Sequence, residues 1–127
     1  MRVIKLVGIG SYPRRDLPLD ARDAIVSSRL VLFSGFPAIR PWLVGLGVRF
    51  IRDISARRAE GDVAIFDAVL DASYEYGDVA YIVSENPSPG AAVIQKFLDL
   101  AANEDDLAVE VISGVRAVGS ASRGAEP

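Results

Sequence analysis

Two short stretches of this sequence have the residue types that bind small polar molecules through backbone and amide groups. The first, Gly8-Ile9-Gly10, follows the apolar run Val3, Ile4, Leu6 and Val7. The second, Ser84-Glu85-Asn86-Pro87-Ser88-Pro89-Gly90, follows the run from Asp78 to Val83. Glycine at the end of a strand lets a ligand approach the main chain, and Asn86 can bond a ligand or cap the local backbone. Glu85 supplies a carboxylate in the second loop, and Asp16 is the one acid of the first. A full dinucleotide fingerprint would need a third glycine at the helix start, but position 13 is proline, so a phosphate-cradling turn is not expected there.

What the chain lacks narrows the chemistry further. It has no histidine and no cysteine, which argues against a Ser-His hydrolase, a thiolate zinc site and disulfides. Fourteen basic against seventeen acidic residues give a net charge of −3, so general affinity for nucleic acid is not expected. Arg49, Arg52, Arg57 and Arg58 form a local basic exception, read here as a solvated strand edge and helix entry rather than an anion site. No apolar run approaches the roughly 20 residues that span a bilayer, and the opening Met1-Arg2-Val3-Ile4 leads straight into a strand. A cytoplasmic protein with no membrane segment is the expectation.

The elements that must position these loops alternate along the chain. Half of the 127 residues are hydrophobic, enough for one domain with a substantial core. Strands are expected from Arg2 to Gly8, Leu30 to Ser34, Arg49 to Ile54, Asp78 to Val83 and Val109 to Ile112. Helical spacing covers Leu19 to Arg29, Ile39 to Leu46, a stretch with Val63, Phe66, Ala68, Val69, Leu70, Ala72 and Ser73 that ends at Tyr76-Gly77, and Ala91 to Ala102. Regular alternation of this kind predicts an α/β fold, a single three-layer domain on a mostly parallel five-stranded sheet. The run from Asp78 to Val83 reads as a central strand, and the alternating basic and apolar positions from Arg49 to Ile54 read as one near an edge. Phe33, Phe36, Trp42, Phe50, Tyr74, Tyr76 and Tyr81 are all expected in the core. Residues 1–118 form the expected domain, and 119–127, rich in Ser, Ala, Gly and Arg, a flexible tail.

The order of pieces also carries a resemblance. Gly8-Ile9-Gly10, a helix opening at Leu17 to Ala21, Ser84-Glu85-Asn86-Pro87, and Val109 through Val115 together resemble the N-terminal domain of the tetrapyrrole methylase family, over about residues 3 to 118. That resemblance implies a transferase that takes a methyl group from S-adenosyl-L-methionine, bound in a cleft between two α/β domains, and delivers it to a tetrapyrrole-like acceptor of corrin or porphyrin type. Only the first of the two domains is represented, so a homo-oligomer or a second, C-terminal domain is expected to complete the cleft. On matching positions the resemblance implies cofactor contacts at Ser11, Asn86, Pro89, Arg116 and Ala117, and acceptor contacts at Gly8, Gly10 and Asp16. The family's first loop commonly reads Gly-x-Gly-Pro-Gly-Asp against Gly8-Ile9-Gly10-Ser11-Tyr12-Pro13 here, and its fourth-strand loop Gly-Asp-Pro against Glu85-Asn86-Pro87. These departures motivate an alternative, a non-catalytic binding or interaction module of the same fold.

Overall fold

A computed structural model describes residues 1–8, 19–35, 38–83 and 92–113. Five strands, β1 (Arg2–Gly8), β2 (Leu30–Phe33), β3 (Ile51–Asp53), β4 (Asp78–Val83) and β5 (Leu107–Ser113), alternate with four helices, α1 (Leu19–Ser27), α2 (Ile39–Leu46), α3 (Asp62–Tyr76) and α4 (Ala92–Asn103). The strands make one sheet in the order β3-β2-β4-β1-β5, and every pairing is parallel. The expected α/β architecture is present, with β4 central and β3 at an edge.

Helices cover both faces of the sheet, because alternate side chains of each strand point to opposite sides. On one face Val7, Val31, Phe33, Ala80 and Ile82 pack with Ala21, Ala24 and Ile25 of α1 and Ile39 and Leu43 of α2. On the other, Ile4, Leu6, Leu32, Val79 and Tyr81 pack with Ile65, Ala68, Val69 and Ala72 of α3 and Ile94 and Phe97 of α4. Strands buried on both faces read as continuous apolar runs, and β2 is buried at all four positions. These are the three layers expected from the alternation.

Local chemistry sets the ends of the helices. α1 stops at Ser27 rather than Arg29, because the Ser28 hydroxyl donates to the Ala24 carbonyl at 2.7 Å and the Ser28 amide turns back to Ile25. α2 ends in a left-handed Gly47 (φ 98°), whose amide returns to Val44 while Val48 bonds Leu43. Gly77 (φ 83°) does the same work after α3, its amide bonding Ser73. The Lys5 ammonium, rising from the middle of β1, donates to the hydroxyls of Ser27 and Ser28 and lies 3.2 Å from Asp78 Oδ1, tying the end of α1 to the start of β4.

Several expectations need correction. The ladder of β3 holds three residues rather than the run from Arg49 to Ile54, and a short 3₁₀ helix, Ser55–Glu60, follows it without having been foreseen. β2 ends at Phe33 rather than Ser34, and β5 starts earlier, at Leu107. In α3 the buried series is Ile65, Ala68, Val69, Ala72 and Ser73, and Val63 points to solvent. Phe50 and Tyr74, expected in the core, are 59% and 61% exposed. Phe50 precedes the β3 ladder and joins neither core; Tyr74 is one step around the helix from the buried Ser73 and carries the Arg2 guanidinium 4.0 Å above its ring. Phe33 and Tyr81 are core residues as expected, while Trp42 and Tyr76 are half-buried against it. Phe36 and the expected tail lie outside the described residues.

Candidate functional site

Parallel strands all end on one rim, and here the three that carry the sequence motifs end level. Gly8 of β1 pairs with Val83 of β4 on one side and with Ser113 of β5 on the other. Phe33 of β2 pairs with Ile82, one step below that crest. The chain therefore leaves β1, β4 and β5 at one height on one edge, into the segments that hold the motifs. In an open α/β sheet this is the rim where ladder hydrogen bonding stops and backbone groups become available to a ligand.

The connections also diverge at this rim. The helix following β2 packs on one face of the sheet, and the helix following β4 on the other. Because β2 and β4 are neighbours whose next strands lie toward opposite edges, the topology reverses between them. That reversal is the condition under which a crevice opens beyond the strand ends.

Beneath the crevice position the floor is fixed by two linked sets of polar contacts. Ser34 and Tyr81 share a hydrogen bond of 2.8 Å between hydroxyls, each residue at least nine-tenths buried. Beside them, the Gly35 amide donates to the Ser55 hydroxyl oxygen at 2.9 Å. The Ser55 amide and hydroxyl in turn donate to Asp53 Oδ1. The hydroxyl bond, then the amide bond, hold the Asp53 carboxyl below its ordinary range; burial opposes them, and the Arg40 charge adds to the lowering. With the Ile54 amide bonded to the Phe33 carbonyl at 2.8 Å, these contacts lock the ends of β2 and β3 together. Gly35 sits at φ 114°, a conformation other residues rarely adopt.

Of the residues singled out from the sequence, Gly8 is described, and it is buried at the centre of the crest. Gly10, Ser11 and Asp16, then Glu85, Asn86 and Pro89, and finally Arg116 and Ala117 lie outside the described residues. The polar floor of Ser34, Gly35, Asp53 and Ser55 went unnoticed in the sequence. Ser34-Gly35 directly after an apolar strand was the available signal, the same strand-to-glycine punctuation that marks Gly8. Among the described residues no cluster of three or more acidic side chains is suited to a metal ion, and no helix is long and apolar enough to cross a membrane.

No protein-family profile matches the sequence, and no curated protein matches it. Among solved structures the chain is similar to a cobalamin synthesis related protein (CobF) from Corynebacterium diphtheriae, with a TM-score of 0.62 and 22% identity. The alignment covers 98% of this chain and 58% of that protein. The two share a fold, and this chain spans little more than half the length of the neighbour.

Proposed function

We propose that this chain is the first half of an S-adenosyl-L-methionine-dependent methyltransferase acting on a tetrapyrrole-like acceptor. The observation that carries the reading is the level crest, Gly8 between Val83 and Ser113, because it brings the starts of three motif-bearing segments to a single rim. The shared fold with a protein of cobalamin synthesis supports it, cobalamin being a corrin. What is described of the site suits such a cofactor. β1, next to the central strand, ends in Gly8, a residue without a side chain, and the reversal beside β4 is the condition under which a crevice opens beyond the strand ends.

Ser11, Asn86, Pro89, Arg116 and Ala117 would hold the cofactor, whose sulfonium supplies an activated methyl group. Gly8, Gly10 and Asp16 would lie on the acceptor side. Held between these two sets of residues, the acceptor carbon or nitrogen and the methyl group would be brought into line for an in-line displacement. Such a displacement asks the protein for alignment and a preorganised apolar wall rather than for an acid or base, so a chain without histidine can support it. The chain spans 58% of its structural neighbour, and the cleft in this reading is closed by a second α/β half or by another copy.

Calorimetric titration with S-adenosylhomocysteine tests this reading directly. Saturable heat that is lost on Asn86→Ala supports it. Absence of heat from a folded chain, with and without a supplied second half, refutes it and favours the alternative of a non-catalytic module.

A further inference from the structure

We infer that the chain carries a second ligand site, for a flat-ringed anion, on the rim opposite the proposed cofactor cleft. A cavity of about 420 Å³ lies at the amino-terminal ends of β2 and β3, lined among others by Val26, Arg29, Val48, Arg49, Phe50 and Tyr76. An adjoining hollow of about 310 Å³ shares Val48, Arg49, Phe50 and Tyr76 with it, and adds Arg40 and Arg52. These volumes are in the range of small-molecule sites, which combine apolar walls with a few convergent polar groups.

The charges divide into engaged and unengaged groups. Arg52 donates to the Tyr76 hydroxyl at 3.4 Å and lies 3.8 Å from Glu75, and Arg40 sits 5.8 Å from the centre of the Phe33 ring. Arg29 and Arg49 are exposed and make no ion pair with any described residue. No carboxylate lines either hollow. Two uncompensated guanidiniums facing one cavity, in a chain of net charge −3, form a local field that favours an anion. Guanidinium recognises planar carboxylate and phosphate groups with paired hydrogen bonds.

The walls supply the ring preference. Phe50 leaves 59% of its surface to solvent while lining both hollows, and Val26 is 43% exposed beside it. An aromatic ring seated against Phe50, Val48 and Tyr76 would remove this apolar surface from water, while its anionic group meets Arg29 and Arg49. A simple ion such as inorganic phosphate would satisfy the charges and leave the ring surface wet. A neutral ring would do the reverse.

Titration of the full chain with 2-naphthoate, 2-naphthylmethanol and inorganic phosphate, followed by calorimetry, separates these cases. The expected result is saturable binding of 2-naphthoate, at least about tenfold tighter than the neutral alcohol or phosphate, weakened at least tenfold in Arg29→Gln/Arg49→Gln and weakened by salt. Both arginines are exposed, so the thermal midpoint of this variant should match that of the parent. Equal binding by acid and alcohol, undiminished affinity in the double variant, or no saturable binding overturns the proposal. If the double variant fails to fold, unchanged affinity of the parent between 50 and 500 mM salt overturns it on its own. Concentration-dependent self-association abolished by Phe50→Ser would also overturn it, by assigning the surface to a second copy. None of these measurements involves the cofactor cleft, so either site can fail without the other.

Discussion

The Ser34 Oγ and the Tyr81 hydroxyl lie 2.8 Å apart, one just past the end of β2 and the other inside the neighbouring β4, both nearly sealed from solvent. A buried hydroxyl pair is costly to half-remove, because the remaining hydroxyl keeps its desolvation cost while losing this bond. Ser34→Ala and Tyr81→Phe are each expected to lower stability by about 1–2 kcal/mol, and the double variant by clearly less than their sum. Urea denaturation of the four proteins measures the coupling. Strict additivity would show that the two hydroxyls act separately.

Two glycines near the end of α2 should respond oppositely to alanine. Neither Gly45 nor Gly47 has anything within 4 Å of an added Cβ, so packing does not distinguish them. Gly47 has φ 98°, where an L side chain is strained, and Gly45 lies in the last turn of α2 with no such restriction. Gly47→Ala is expected to cost about 1 kcal/mol and Gly45→Ala to add roughly 0.5–1 kcal/mol. Thermal midpoints shifted in opposite directions would confirm it.

The Asp53 carboxyl gives a pH signature. Its proton affinity is lowered in the folded chain by the Ser55 hydroxyl first and the Ser55 amide second. A carboxyl that binds its proton less tightly when folded adds stability above its unfolded value of about 4, and that contribution disappears as the pH drops through the lower folded value. Asp53→Asn should therefore melt below the parent at pH 7, with the gap closing below about pH 4. A gap that is constant with pH would assign the effect to geometry rather than charge.

The two phenylalanines at opposite extremes of burial provide a further contrast. Phe97 is fully buried, its ring centre 4.7 Å from that of Phe66, whereas Phe50 is mostly in water. Phe97→Ala is expected to cost about 3–5 kcal/mol, enough to unfold much of a marginal domain, while Phe50→Ser should stay within about 0.5 kcal/mol. Chemical denaturation midpoints of both variants decide this.

Where a residue's type dictated its conformation, the sequence was readable. Gly47 and Gly77 marked helix ends because only glycine sits comfortably at their positive φ, and the uninterrupted apolar run of β4 announced a strand covered on both sides. α1 was read too long because Ser27 and Ser28 continue its polarity pattern while their hydroxyls end it. The 3₁₀ helix after β3 left no trace, since Ser55-Ala56-Arg57-Arg58-Ala59-Glu60 has no apolar period. Aromatic character alone misled at Phe50 and Tyr74, whose exposure depends on how far each adjoining layer reaches. At the rim, the end of β1 at Gly8 was legible in the sequence, but the contacts of Ser34 and Asp53 were not, because those depend on which strands become neighbours.

The placement of β1 between β4 and β5 affects how the chain is made. Among the described strands, β1 is synthesised before both of its ladder partners, β4 at residues 78–83 and β5 at residues 107–113. Until those are synthesised, Val3 to Val7 has no ladder partner, so the nascent polypeptide must carry an unshielded apolar segment through that interval. The sheet can therefore close around β1 only once residue 113 has been made, and an aggregation-prone edge is exposed before then.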